Sequence, residues 1–197
     1  MKTIDFYLDF ISPFAYLASF RLPTIARSCG ASIAYHAIDL TAAKRAAGNT
    51  GPANREIPPK IRYLMADLRR WAKRYGVPLV PPSGFDSAAA NRGLLWARKK
   101  GREEPYVRAV YDAIWGRGGN PADLGVLRSA VEAAGLPGDE FEAALNSDEL
   151  DASYQELNRQ AQARGVFGVP IFIVDDEMFW GNDRLDFLEE YLREHSR

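Results

Sequence analysis

The stretch TIDFYLDFISPFAYLASFRLPTIARSCGASIAYHAI, residues 3–38, decides how this chain begins to fold. Apart from Thr3, Asp5 and Asp9, residues 3–10 are aromatic or aliphatic, the mark of a mostly buried strand, and they stop at Ser12-Pro13. Serine is a natural N-cap, because its oxygen accepts an amide hydrogen that the first helical turn leaves unbonded. Proline suits the first helical position, where there is no N–H bond to lose. Phe14, Leu17, Ala18, Arg21, Leu22, Ile25 and Ala26 then form an apolar stripe of helical period that ends near Gly30, and residues 32–38 read as a second strand. Strand, helix, strand within the first 40 residues is a βαβ unit, whose parallel strands require a right-handed crossover, so the chain begins as α/β.

Outward from that unit, strand-like alternation disappears between Asp39 and Gly165 and helical stripes replace it. In the clearest, Ile61, Leu64, Met65, Leu68, Trp71, Ala72 and Tyr75 share a face. Further helices fit 87–100, 104–115, 122–134, 139–146 and 148–164, with caps at Asn120-Pro121 and Ser147 and stops at Gly101, Gly116, Gly135 and Gly165. Strands return at 171–174 and 177–180, joined by an Asp175-Asp176 turn into an antiparallel hairpin, after which Gly181 and Asn182 start a terminal helix carrying Leu185, Leu188 and Leu192. If the hairpin pairs beside the βαβ unit, the result is an α/β, thioredoxin-like fold with a large helical insertion. Its thioredoxin-like part would be 1–40 plus 165–197, and the inserted helical domain 41–164.

Composition narrows the function. Lys plus Arg number 25 against 26 Asp plus Glu, a net charge of −1 that gives no excess positive field for a nucleic acid. One cysteine, Cys29, excludes an internal disulfide and a CxxC redox pair, and His36 and His195 stand far apart, which argues against a metal. The N-terminus lacks a signal-like apolar core and no run of 18 apolar residues exists, so a cytoplasmic protein with no membrane span is expected. No phosphate-binding glycine loop or GxSxG elbow is present, and His36 has no plausible Ser or Cys partner.

The chemistry then rests on four places. Ser12-Pro13-Phe14-Ala15 forms a strand-to-helix corner, where the helix N-terminus favours an anion and the Ser12 hydroxyl can donate to it, for example to the thiolate of a bound thiol compound; equally, Ser12 can be a cap and nothing more. Val169-Pro170 directly precedes the strand at 171: a cis proline there would leave its neighbour's backbone free to pair with an extended ligand, and a trans proline at a strand start is the plain alternative. Trp180-Gly181-Asn182-Asp183 is a second helix start, able to hold an amino-acid head group or simply to cap its helix. Residues 44–55, KRAAGNTGPANR, read as a loop whose Lys44, Asn54 and Arg55 can meet a substrate carboxylate and carbonyl, or else serve as a solvated connector.

FYLDFISPFAYLA at 6–18, AIDL at 37–40, GNTGPANR at 48–55, DLRRWAKRYGVPL at 67–79, AVYDAIWGRG at 109–118 and FGVPIFIVDDEMFWGNDRLDFLE at 167–189 together resemble the 2-hydroxychromene-2-carboxylate isomerases, bacterial relatives of the kappa-class glutathione transferases. The resemblance implies a glutathione-dependent isomerase of aromatic, naphthalene-type catabolism that interconverts 2-hydroxychromene-2-carboxylate and trans-o-hydroxybenzylidenepyruvate by thiolate addition, bond rotation and elimination. It further implies glutathione contacts from Ser12, Val169, Pro170, Trp180, Gly181, Asn182 and Asp183, substrate contacts from Lys44, Asn54, Arg55 and Phe85, and a homodimer. The match weakens along the wall at 81–90, where Phe85 replaces an expected hydroxylated aromatic. A kappa-like transferase and a non-catalytic thioredoxin-fold binding module are the rival readings.

Overall fold

The computed structural model describes residues 1–195, the side chain of Arg55 excepted. Strands β1 (Thr3–Leu8), β2 (Ser32–Ala37), β3 (Ile171–Val174) and β4 (Glu177–Trp180) form one sheet in the order β2-β1-β3-β4. The β1–β2 pair is parallel, bridged by α1 (Pro13–Ser28), and β3 joins β1 antiparallel with Tyr7 opposite Ile171. The predicted closure of hairpin onto βαβ unit is therefore present. Asp175 turns the hairpin in the left-handed region (φ 55), which a short polar side chain tolerates better than a branched one.

The central strands β1 and β3 are largely buried on both faces, which explains their mostly apolar sequence, while β4 at the edge is partly exposed. Ile4, Phe6 and Leu8 of β1 and Phe172 and Val174 of β3 join a core that runs through α1 into the inserted helices, while Tyr7, Ile171 and Ile173 pack on the other face with Ile38, Ala161 and Val166. Fully burying each such side chain contributes about 1.5–3 kcal/mol.

Between β2 and β3 lie α2 (Leu40–Ala46), α3 (Pro58–Tyr75), α4 (Ala88–Lys99), α5 (Glu103–Tyr111), α6 (Leu124–Ala133), α7 (Gly138–Leu145) and α8 (Asp148–Ala163), and α9 (Leu185–Glu194) closes the chain. Gly101, Gly135 and Gly165 end their helices with positive φ, and Ser147 caps α8 by accepting from the Leu150 N–H.

Several boundaries depart from the sequence reading. The first strand stops at Leu8 because the chain turns at once: the Asp9 carbonyl accepts from the Ser12 N–H at 2.9 Å. The helical run does end at Gly116, but as its last residue rather than the first beyond it, because α5 continues into a π-helical turn, Asp112–Gly116. Asp123, not Asn120-Pro121, caps α6, accepting from the N–H groups of Gly125 and Val126, while Asn120 turns the chain just before it by accepting from Ala122. The terminal α-helix begins at Leu185, after a 3-10 turn at Asn182–Arg184, rather than at Gly181 and Asn182.

Candidate active site

Three segments converge at one end of the sheet. The first is the corner after β1. The Ser12 oxygen accepts from the Ala15 N–H at 3.3 Å, so the cap forms, and its own proton stays available to donate. Ser12 is only 5% exposed and sits at the head of a 16-residue helix, where partial positive charge gathers. The second segment is Val169-Pro170, whose peptide bond is cis. Since Tyr7 faces Ile171, Pro170 stands one register step further along, beside the end of β1 and thus beside the corner. No backbone hydrogen bond engages Val169 among the described residues, whereas the Pro170 carbonyl accepts from Gly181 at 3.0 Å.

That bond brings in the third segment. Trp180 ends β4, 56% exposed, with Phe167 edge-on at 4.8 Å between ring centres. Gly181 takes φ 111 and ψ 150, a conformation open essentially to glycine alone. Asn182 is 2% exposed; its amide oxygen accepts from the Tyr75 hydroxyl at 3.2 Å, and its amide nitrogen has no partner. Asp183 faces solvent and pairs with Arg184 at 2.7 Å.

The remaining candidates are less tightly assembled. Lys44 is not in a loop: α2 covers it, a helix too short for its period to be read, started by Asp39 accepting from the Ala42 N–H at 2.9 Å. Asn54 opens a 3-10 turn, Asn54–Glu56, and its oxygen receives Lys60 at 3.5 Å rather than any group of the corner. The Arg55 side chain lies outside the described residues. Phe85 is 52% exposed, two residues before Ser87, which is buried against Asp9 at the corner.

The sequence reading treats Asp9 only as a polar interruption of a strand, yet it organises the corner. The buried carboxyl accepts from Ser87, Asn91, Ile11 and Leu40; burial pushes it above the usual carboxylate range against the pull of those donors. Asn91 also accepts from the Phe10 N–H, Tyr111 donates to the Asp9 carbonyl at 3.1 Å, and Trp115 donates to the Phe10 carbonyl at 2.9 Å. An acid in the last residues of a mostly apolar stretch, just before a cap serine, was the available signal; apart from the neighbouring Ile11, its partners lie 31 to 102 residues away and carried none.

His36 stacks on Tyr7 and bonds Asp5, which also meets Arg164, on a sheet face away from the corner. Trp96 and Trp115 are buried and Trp71 is half-buried, in keeping with core roles. Among the described residues no cluster of three or more His, Cys, Asp or Glu side chains could hold a metal, and no helix is long and apolar enough to cross a membrane.

The DSBA-like thioredoxin domain model matches residues 3–193. A 2-hydroxychromene-2-carboxylate isomerase from Sphingobium xenophagum is 51% identical over 191 residues, 97% of this chain and 98% of that protein. The chain belongs to the 2-hydroxychromene-2-carboxylate isomerase family. A solved structure of a 2-hydroxychromene-2-carboxylate isomerase superposes with a TM-score of 0.93 at 42% identity, covering 98% of this chain and 95% of that one. Glutathione S-transferase kappa 1 of Caenorhabditis elegans is a more distant relative, 26% identical over 98% of this chain and 92% of its own. Ser12 caps the head of α1 at this corner, and Cys29 lies at the far end of the same helix.

Proposed function

We propose that this protein is a glutathione-dependent isomerase that interconverts 2-hydroxychromene-2-carboxylate and trans-o-hydroxybenzylidenepyruvate. The observation that carries the reading is the near-full-length kinship with an isomerase of that name, on a corner whose serine keeps a proton to donate. Kinship to a glutathione transferase supports glutathione as the thiol.

The residues present suit a glutathione-like tripeptide. Ser12 donates to the sulfur and the α1 N-terminus favours its negative charge, so both lower the thiol pKa. The unengaged backbone of Val169 pairs with the peptide, as a strand would. Trp180 supplies an apolar face, the Gly181–Asn182 backbone and the unpartnered Asn182 amide supply donors for a carboxylate, and Asp183 supplies a charge for the ammonium, in exchange for its surface pair with Arg184. Bound there, glutathione supplies a thiolate able to add to a conjugated double bond and leave again once the bond, now single, has rotated. Lys44 and Arg55 hold the substrate carboxylate, Asn54 its carbonyl, and Phe85 lies along its ring; fixing the carboxylate while the other end swings is what these residues contribute to an isomerisation. Exposed Phe20 on α1 and Phe187 on α9 support a homodimer, and the lone Cys29 supports a cytoplasmic setting.

The test follows the absorbance of purified 2-hydroxychromene-2-carboxylate as it approaches equilibrium with its isomer, with protein, with and without glutathione. Acceleration only with glutathione is expected. A stable glutathione adduct by mass spectrometry, without equilibration, would instead assign a kappa-like transferase; no acceleration in either condition would overturn the isomerase reading.

A further inference from the structure

Asp9 lies three residues before Ser12 and is 3% exposed, and every partner of its carboxylate is a donor. Its two oxygens serve different parts of the molecule. Oδ1 accepts from the Ile11 N–H at 3.1 Å, from the Ser87 hydroxyl and from the Asn91 amide at 3.1 Å. Oδ2 accepts from one group, the Leu40 N–H at 3.0 Å, which is the first amide of α2. One buried carboxylate therefore ties the loop that delivers Ser12 to the head of the helix that carries Lys44 a turn later.

We propose that Asp9 is a positioning residue that couples the two halves of the site: Oδ1 fixes the corner, Oδ2 fixes the start of α2, and together they set where Lys44 stands relative to the thiol. This rests on the roles of Ser12 and Lys44 in the proposed isomerase. The network explains why an acid, rather than an apolar residue or an amide, occupies this buried place. An apolar side chain would leave the Ile11 and Leu40 N–H groups and the Ser87 hydroxyl without this acceptor, whereas Asn91 also has the Ile38 carbonyl and the Tyr154 oxygen. An asparagine can serve one oxygen site only and must turn its NH2 toward the other.

Asp9→Asn is thus a directional probe. With its oxygen on the three-donor side, its NH2 faces the Leu40 N–H, so the corner is kept while the head of α2 is released. The expected result is a KM for 2-hydroxychromene-2-carboxylate raised about tenfold, the scale of one lost charge-assisted hydrogen bond, with kcat and the calorimetric Kd for glutathione changed less than about threefold. Ser87→Ala, which removes a donor on the corner side only, leaves that KM within about twofold. Should Asp9→Asn fail to fold, Leu40→Pro deletes the same bond at a helical position that accepts proline, and it raises KM relative to Leu40→Ala, which keeps the N–H. An unchanged KM in Asp9→Asn, or in Leu40→Pro against Leu40→Ala, overturns the coupling, and so does an equal loss of glutathione affinity and substrate affinity, the mark of a merely structural role. A wild-type protein that binds glutathione but does not isomerise would sink the isomerase reading instead; amide hydrogen exchange, faster at Leu40 and Ala43 but not at Ser12 in Asp9→Asn, then still decides whether Oδ2 holds α2.

Discussion

The indole N–H of Trp115 donates to the backbone carbonyl of Phe10 over 2.9 Å, so a side chain from the inserted helices closes the loop that leads to Ser12. Trp115 reaches it from the π-helical turn that follows α5, an irregularity that re-aims the side chains after it. Trp115→Phe keeps an aromatic ring, though a smaller one, but leaves the Phe10 carbonyl buried and without the indole donor. Stability is expected to fall by about 1–3 kcal/mol, read as a lower urea midpoint at unchanged slope.

Ser12→Ala separates the two duties of the corner serine. Loss of the cap costs about 0.5–2 kcal/mol, too little to depopulate the folded state. Loss of a hydrogen bond to a thiolate lowers turnover about tenfold to a hundredfold. Turnover measured on fully folded variant checks this; full activity in Ser12→Ala would leave the serine as a cap alone.

Gly181→Ala places a β-carbon on a backbone at φ 111, where it would also crowd the Asp183 carboxylate. The carboxylate can swing away, but the backbone cannot relax without disturbing the Gly181 N–H bond to Pro170. A stability loss of about 1–3 kcal/mol is expected, with weaker glutathione binding by calorimetry.

His36 gives the protein an acid-side weakness away from the corner. Burial lowers its pKa below the ordinary 6.5, and the Asp5 hydrogen bond only partly opposes this. As pH falls below 6.5 the unfolded chain takes up a proton that the folded chain still refuses, so stability declines with falling pH from that point down to the folded value. His36→Gln removes the proton uptake. Urea midpoints measured between about pH 7 and pH 5 should slope downward for the wild type and run flatter for the variant.

The order of elements, the parallel start, the hairpin and the cap at Ser12 could all be read along the chain, because each depends on neighbours a few residues apart: alternation, helical period, a hydroxyl before a proline. The lone cysteine likewise rules out an internal disulfide and a CxxC pair from the sequence alone. Where local signals were short or ambiguous the reading slipped, as at α2, too brief to show a period, and after α5, where the π-helical turn Asp112–Gly116 has no period of its own to read. What only the tertiary structure decided is which distant groups meet. Asp9 became the junction of β1, α2 and α4, Tyr75 turned to Asn182, and Asp5 found His36 and Arg164, because hydrogen bonds between segments far apart in sequence leave no periodic trace and exist only once burial forces each polar group to find a partner.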